Sequence, residues 1–385
     1  MREVVVAGGS IAALTAVETL RMLDFDGHIT VLSDEALPPY TRVPLSKGVL
    51  AGRDSTADVV LAPLADEVDL HLRTPVLGLD LEARTVSTPD GPLRYDGLVI
   101  ATGARARRLG APDQDERVLR TLDDAQRLRR DLGAASSVLI VGGGFLGMEV
   151  ASTAVELGKD VTVVDVDRPL TRLLGEHVGA FVCQVAERRG VRIVRAVGAV
   201  SLVGAPDPHG VRLSDGTTLE ADLVVSAVGD VANVEWLAGS GIAAPGGVRV
   251  DEYCRAAPGV VAAGDVALTV RRDDTLVRVP SWTNAVEQAR AAAQALLLGE
   301  AADPYRPSHY HWTEQFDLDI KVVGDGAPCG VPAVLDGLGL ADSSPSSALL
   351  AWPDAASPRQ LVAVNHHTPP ARLKRMLRSG GVRAS

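Results

Sequence analysis

Aromatic residues are scarce: four Phe, five Tyr and four Trp in 385 residues, 3 % of the chain. With 38 Gly alongside, this composition suits Val/Ile/Leu strands joined by glycine-rich turns. Cysteine is almost absent. Cys183, Cys254 and Cys329 stand far apart and none lies in C-x-x-C, so neither a metal centre nor a thioredoxin-like redox pair has support, and each reads as an ordinary thiol. A basic excess is lacking too. Thirty-eight Lys and Arg against 49 Asp and Glu give a net charge of −11, which argues against a general nucleic-acid binder. No apolar run approaches the length of a membrane span, and no basic-then-apolar leader precedes the first strand at Val4. The expectation is a cytoplasmic protein with no membrane segment. Its length suits two or three domains.

What the chain does contain is organised around residues 138–165, VLIVGGGFLGMEVASTAVELGKDVTVVD. Residues 138–141 read as a buried strand, and Gly142, Gly144 and Gly147 follow at G-x-G-x-x-G spacing. A helix comes next, with Val150, Ala154 and Leu157 on one face. A second apolar strand then closes on Asp165. The first glycine makes the tight turn, the second lets backbone approach a pyrophosphate, and the third packs helix on strand. An acid about 20 residues further on accepts a ribose hydroxyl. Strand, glycines, helix and acid together specify a dinucleotide site.

The N-terminus repeats the plan in damaged form. Residues 4–6 are a strand, followed by Gly8, Gly9 and Ser10, a helix with Ala16, Leu20 and Leu23 on one face, a strand over 29–32, and the acids Asp34 and Glu35. Ser10 and Ala13 occupy the second and third glycine positions. Alanine suits close helix packing. Serine puts a side chain where a pyrophosphate approaches, with a hydroxyl able to donate to it.

Beyond these units, residues 38–47 (PPYTRVPLSK) form a stiff extended segment in which Ser46 is placed to cap a following helix. Composition alone reads Arg42 and Lys47 there as exposed charge. Apolar strands ending in small-residue turns recur at 95–103, 223–229 and 260–266, the last carrying Asp265. Helices are expected over 122–132, 177–189, 370–377 and from 282 to about 298. From residue 355 onward there is no acid, while Arg359, Arg372, Lys374, Arg375, Arg378 and Arg383 are basic. The first nucleotide fold resumes after the second, which implies an insertion. The fold class is α/β, two Rossmann-like domains, one inserted in the other, plus a small α+β C-terminal domain. The boundaries fall at 1–104 and 232–305 for the interrupted domain, 105–231 for the inserted one, and 306–385 for the last.

With the two fingerprints, PPYTRVPLSK at 38–47, YDGLVIATGA at 95–104, VVAAGDVA at 260–267, WTNAVEQA at 282–289 and HWTEQFD at 311–317, nearly the whole chain resembles the FAD-dependent NADH:ferredoxin reductases of the putidaredoxin- and rhodocoxin-reductase type. The resemblance implies FAD and NAD(H) as cofactors, and a small iron–sulfur ferredoxin serving an oxygenase as partner. It implies that Gly8, Ser10 and Ala13 line the FAD pyrophosphate, with Asp34 or Glu35 at the adenosine ribose. Arg42, Pro44 and Lys47 would border the flavin, Thr102 and Gly103 would pass its phosphates, and Gly264 and Asp265 would hold the ribityl chain. Trp282, Thr283 and Asn284 would open a helix whose positive end favours the anionic reduced ring. Gly142, Gly144, Gly147, Asp165 and Gly229 would take NADH, with Glu149 beside the nicotinamide. Trp312 would cover the flavin where electrons leave. Lys47, Glu149 and Trp312 are therefore the implied catalytic residues, with no metal.

The chain departs from the family where Pro280 and Ser281 replace the Glu and His that usually precede the tryptophan, and in the run His309, Tyr310, His311. A thiol-based reductase on this scaffold would need cysteines before Lys47, and there are none. The other readings are an NAD(H)-binding sensor or scaffold without flavin chemistry, and a stand-alone NADH oxidase. Monomer and homodimer are both open.

Overall fold

Val4, Val5 and Val6 lie in a strand, Glu3–Ala7, with parallel neighbours on both sides, so its residues are apolar on both faces. The computed structural model describes residues 1–65, 67–270, 275–325, 328–340, 347–353 and 358–379. The chain divides into two compact units. One comprises Met1–Thr41, Val59–Arg105 and Val231–Pro307, and the other comprises Arg42–Asp58, Ala106–Asp230 and Ser308–Ser385.

In the first unit, six strands lie in the order Arg255–Ala257, Val260–Ala262, Gly97–Ile100, Glu3–Ala7, His28–Leu32, Val68–His71. All are parallel except the first, which returns antiparallel on its neighbour. Helices Ile11–Met22 and Trp282–Leu298 pack together through small residues, among them Ala12, Ala16, Ala285, Ala289 and Ala292. Leu20 and Ile29 are fully buried in that core, so truncating either to alanine would cost about 2–5 kcal/mol. A three-stranded antiparallel meander, Gly78–Asp80, Thr85–Thr88 and Gly91–Arg94, precedes the Gly97–Ile100 strand. Its last turn is held by the Thr88 hydroxyl, which donates to the Gly91 carbonyl at 2.8 Å and accepts from the Asp90 N–H at 3.2 Å.

The second unit repeats this plan with different residues. Strands Arg192–Arg195, Asp160–Asp165, Ser137–Val141 and Leu223–Ser226 form a parallel sheet in that order, and a meander of Val200–Val203, Gly210–Leu213 and Thr218–Glu220 precedes the last strand. Helix Leu122–Ala134 opens with a capping box between Thr121 and Asp124. The helix expected over 177–189 runs instead from Thr171 to Arg188, with a break at Gly175, whose φ of +73° only glycine adopts without strain. Residues 42–58, which the sequence groups with the first unit, cluster with this one. They form a 3₁₀ turn, Val43–Ser46, a helical turn, Gly48–Ala51, and most of a second, Thr56–Val59.

The C-terminal residues of this unit make a five-stranded antiparallel sheet, Tyr310–Gln315, Leu318–Gly324, Pro358–Val364, Ala348–Pro353 and Ala333–Gly337 in spatial order. Helix Pro370–Ser379 packs on it by burying Leu373 against Tyr310, Val323, Leu361 and Ala363. Its Arg372, Arg375 and Arg378 face solvent. Arg383 lies outside the described residues, as does the side chain of Arg359. Among the described residues no helix is long and apolar enough to cross a membrane, and no cluster of His, Cys, Asp and Glu could hold a metal ion.

Candidate active site

The three glycines of the inserted fingerprint meet three different surroundings in the second unit. A Cβ on Gly142, at φ +108°, would lie 2.3 Å from the Ala227 carbonyl, and one on Gly147 would lie 1.9 Å from the Gly142 carbonyl. Gly142 therefore permits the turn, and Gly147 permits the helix Phe145–Glu156 to close on it. A Cβ on Gly144 would meet nothing within 4 Å. This position faces open space at the start of the helix, where unpaired N–H groups and the positive end of the helix dipole lie. Asp165 ends the second strand, and its Oδ2 accepts the Gly143 N–H at 2.6 Å while Oδ1 accepts the Asp167 N–H at 3.2 Å. Arg172, which the sequence did not single out, donates to Oδ1 at 3.1 Å. Arg168 pairs instead with Glu176. Gly229 is exposed at φ +99°, just past the strand Leu223–Ser226.

In the first unit, a Cβ on Gly8, at φ +125°, would lie 2.1 Å from the Ala101 carbonyl. Ala13 is buried in the helix interface, as a third-glycine position requires. Ser10 is the residue before the helix, in extended conformation, and its hydroxyl makes no cap bond. Asp34 is exposed, whereas Glu35 accepts the hydroxyl of Tyr40. Thr102 is clamped by Asn233: the Thr102 hydroxyl donates to the Asn233 carbonyl and the Asn233 amide to the Thr102 carbonyl, each at 2.9 Å. Gly103 follows at φ +62°. Gly264, at φ +80°, donates its N–H to the buried Gln288 at 2.9 Å. Asp265 is half-buried, and its carbonyl accepts from Arg278 at 3.0 Å. Ser281, the departure from the family pattern, caps helix Trp282–Leu298 by accepting the Asn284 N–H at 3.1 Å. Trp282 is exposed, Thr283 half-buried, and Asn284 buried, accepting the Tyr305 hydroxyl at 2.6 Å. Burial pushes the neighbouring Cys254 thiol up to about 12.

Two of the implied catalytic residues meet in the second unit. Lys47 Nζ lies 2.9 Å from Glu149 Oε2, and Glu149 is only 7 % exposed. Reading Lys47 as exposed charge is thereby overturned. Ser46 does not cap the short helix after it. Lys47 holds the cap position, Ser46 closes the 3₁₀ turn before it, and the Ser46 hydroxyl donates to Glu149 Oε2 at 2.5 Å, a charge-assisted bond. Thr153, one turn further along the helix, donates to the Ser46 carbonyl at 2.7 Å, so the segment grips the helix at two successive turns. Arg42 donates to the Arg120 carbonyl at 3.0 Å, and Pro44 is half-buried in the 3₁₀ turn.

Strand Tyr310–Gln315 approaches the same carboxylate. Thr313 donates to Glu149 Oε1 at 2.7 Å, and Gln315 donates to Thr313 at 3.0 Å. The alternation of the strand puts Tyr310 and Trp312 on its other face, where their rings stack at 5.8 Å. Burial, then His309, holds His311 below the ordinary histidine range. Thr313 and Gln315 lie in the HWTEQFD motif, but nothing in it shows what they touch, since that depends on a glutamate far away in the chain.

Comparison with known proteins agrees with this architecture. The model of the family described as pyridine nucleotide-disulphide oxidoreductase matches residues 2–289. The ferredoxin–NAD(+) reductase component of the p-cumate 2,3-dioxygenase system of Pseudomonas putida is 37 % identical over 335 residues, which cover 84 % of this chain and 82 % of that one. The crystal structure of the ferredoxin reductase for the CYP199A2 system from Rhodopseudomonas palustris superposes with a TM-score of 0.87 at 31 % identity, covering 95 % of this chain and 92 % of that one. The putidaredoxin reductase of a covalent complex with putidaredoxin gives 0.86 at 28 %, covering 98 % and 93 %. The chain belongs to the pyridine nucleotide-disulphide oxidoreductase family and, within it, to the ferredoxin–NAD(+) reductases.

Proposed function

We propose that this protein is a flavoprotein that takes hydride from NADH onto FAD and hands single electrons to a ferredoxin-type iron–sulfur protein serving an oxygenase. The observation that carries this reading is a pair of dinucleotide cradles in one chain, in a protein that aligns along most of its length with ferredoxin–NAD(+) reductases of oxygenase systems. Bound flavin supplies the conversion of a two-electron donor into a one-electron donor. The protein supplies binding, orientation and charge.

The residues present fit both groups. Gly144 leaves room for a pyrophosphate at a helix N-terminus, and Asp165 presents a carboxylate for the ribose of NADH. In the first unit, Gly8 allows the same turn, and the uncapped Ser10 hydroxyl is a donor for the FAD pyrophosphate in place of a glycine N–H approach. Asp34 is exposed to take the adenosine ribose, while Glu35 is engaged with Tyr40. Thr102 and Gly103 would flank the FAD phosphates, and Gly264 and Asp265 the ribityl chain. Trp282, Thr283 and Asn284 open a long helix whose N-terminal end favours negative charge on the ring. Lys47, bordered by Arg42 and Pro44, adds a cation, and Glu149 fixes where that cation sits. Gly229 adds an exposed backbone turn for NADH. Trp312 would cover the flavin where electrons leave.

The domain roles follow: residues 1–104 and 232–305 hold FAD, 105–231 hold NADH, and 306–385 cover the flavin. The partner chemistry is an acidic one-electron carrier. The test is NADH-driven reduction of cytochrome c by the purified, yellow protein, with and without a panel of ferredoxins. Stimulation by a subset of ferredoxins is expected. A colourless protein that cannot be reconstituted with FAD overturns the reading.

A further inference from the structure

Glu149 is held from two directions by parts of the chain that are remote in sequence. From one side come the Lys47 ammonium at 2.9 Å and the Ser46 hydroxyl at 2.5 Å, both on Oε2. From the other comes the Thr313 hydroxyl, at 2.7 Å on Oε1. Thr313 is 0 % exposed and Gln315 is 3 % exposed, so the Oε1 side of the carboxylate is closed to solvent.

The direction of each proton is fixed by the donors. Gln315 Nε2 has no lone pair to offer and donates to Thr313 Oγ1 at 3.0 Å. The single Thr313 hydroxyl proton is therefore directed away from Gln315 and onto Glu149. Gln315 Oε1 is buried and without a hydrogen-bond partner. Turning the amide over would satisfy that oxygen by taking the Thr313 proton, and would strip Glu149 of its donor. The orphaned oxygen is the cost of keeping the relay in its observed sense. Backbone anchors hold the strand in place: the Phe316 N–H donates to Ser152 Oγ on the Glu149 helix at 2.7 Å.

We propose that Thr313 is a positioning residue for the Lys47–Glu149 pair, with Gln315 orienting its hydroxyl, so that the C-terminal sheet takes part in hydride transfer and is more than a cover. This rests on the assignment of Lys47 and Glu149 to the reaction. Charge-assisted bonds to both carboxylate oxygens leave the plane of the Glu149 carboxylate one orientation, and through it the Lys47 ammonium one position. With Thr313 removed, Oε1 has no donor and the carboxylate can swing about its remaining two contacts. Thr313 touches neither nucleotide in this scheme. Its effect falls on the rate of the hydride step, and the affinity for NADH is left largely alone.

The test compares Thr313→Val, which keeps the shape and deletes the hydroxyl, with Thr313→Ser, which keeps the hydroxyl. For NADH-to-ferricyanide turnover, Thr313→Val should lower kcat about tenfold with the NADH KM within about twofold, and Thr313→Ser should restore most of the rate. Gln315→Leu should reproduce part of the valine effect. A second readout needs no turnover: the carboxylate stretch of Glu149, isolated as the infrared difference between each Thr313 background and its Glu149→Gln counterpart. Loss of a donor should shift that band in Thr313→Val and not in Thr313→Ser. An unshifted band in a folded Thr313→Val protein overturns the proposal. A shifted band with unchanged kcat shows that Thr313 holds Glu149 but that the pair does not govern the hydride step, which overturns the catalytic part. Absence of NADH turnover in the unaltered protein, with the band shift intact, would fault the functional reading and leave the positioning role standing.

Discussion

Arg172 reaches Asp165 at 3.1 Å, on the carboxylate oxygen opposite the one that accepts from Gly143 at 2.6 Å. A cation thus lies beside the acid proposed to receive the ribose of NADH, where it would temper the repulsion that a 2′-phosphate meets. NADH should still be strongly preferred over NADPH, because the carboxylate accepts hydroxyls and repels phosphate. Arg172→Ala should widen the preference, and Asp165→Ser should narrow it about tenfold or more. The ratio of kcat/KM for the two nucleotides is the measurement, and equal efficiency in the unaltered protein would show that Asp165 is not at the ribose.

Gly144 and Gly142 separate binding from folding. A methyl on Gly144 meets no protein atom within 4 Å, so Gly144→Ala should melt at the temperature of the unaltered protein. It should raise the NADH KM about tenfold or more, since the methyl occupies the space of the pyrophosphate. Gly142→Ala brings a Cβ to 2.3 Å from a carbonyl at φ +108° and should lose more than about 2 kcal/mol of stability. Thermal melts and NADH titrations distinguish the two. A Gly144→Ala protein with normal NADH kinetics would remove the pyrophosphate from that position.

The same glycines mark how far the sequence could be read. The strand–glycine–helix–acid pattern around Gly142 is local, so its period and spacing carry it, and the family resemblance found in the motifs is the family the comparisons return. Even the damaged copy at Gly8, Ser10 and Ala13 folds as the pattern requires, because its departures fall where a small side chain fits. The surroundings of Glu149 were not legible. Ser46 reads locally as a cap and Thr313 only as part of a family motif, and only tertiary packing brings both onto one carboxylate. Residues 42–58 have no strong periodicity of their own, so nothing local indicates which unit they join.

Cysteine chemistry should play no part in the reaction. Burial pushes the Cys183 and Cys254 thiols up to about 12, so at neutral pH both are protonated and enclosed, and reactive thiolate appears only as pH approaches that value. Cys329 is exposed. Iodoacetamide at pH 8 should therefore alkylate Cys329 alone in the native protein, as read by peptide mass. Replacing all three with Ser should leave NADH-dependent flavin reduction nearly intact, and a large loss of the hydride step in a folded triple variant would revive a thiol mechanism.

Ferredoxin turnover should depend on salt. Arg372, Arg375 and Arg378 face solvent on a helix without acids, in a chain of net charge −11. Lys374 is partly committed, its ammonium lying 5.5 Å from the centre of the Tyr310 ring. Steering of an acidic partner weakens as the Debye length shrinks from about 10 Å at 0.1 M. Ferredoxin-dependent rates should fall with ionic strength while NADH-to-ferricyanide rates change little. Reversing the three arginines to Glu should raise the apparent ferredoxin KM several-fold and spare that for NADH. Unchanged ferredoxin kinetics at low salt would move docking elsewhere, with Arg105, Arg107 and Arg108 next.

The strand Gly97–Ile100 has Glu3–Ala7 on one side and Val260–Ala262 on the other. On the ribosome, its first neighbour is made early and its second only after the whole of residues 106–230 has emerged. That intervening stretch carries every strand of its own parallel sheet and can close without waiting. The first unit therefore passes through synthesis with an apolar, unpaired edge, a surface on which nascent chains aggregate. The parallel sheet of the inserted stretch can form before that of the first unit, whose last strands come only at residues 255–262, while the unit it belongs to is completed only by residues 308–385.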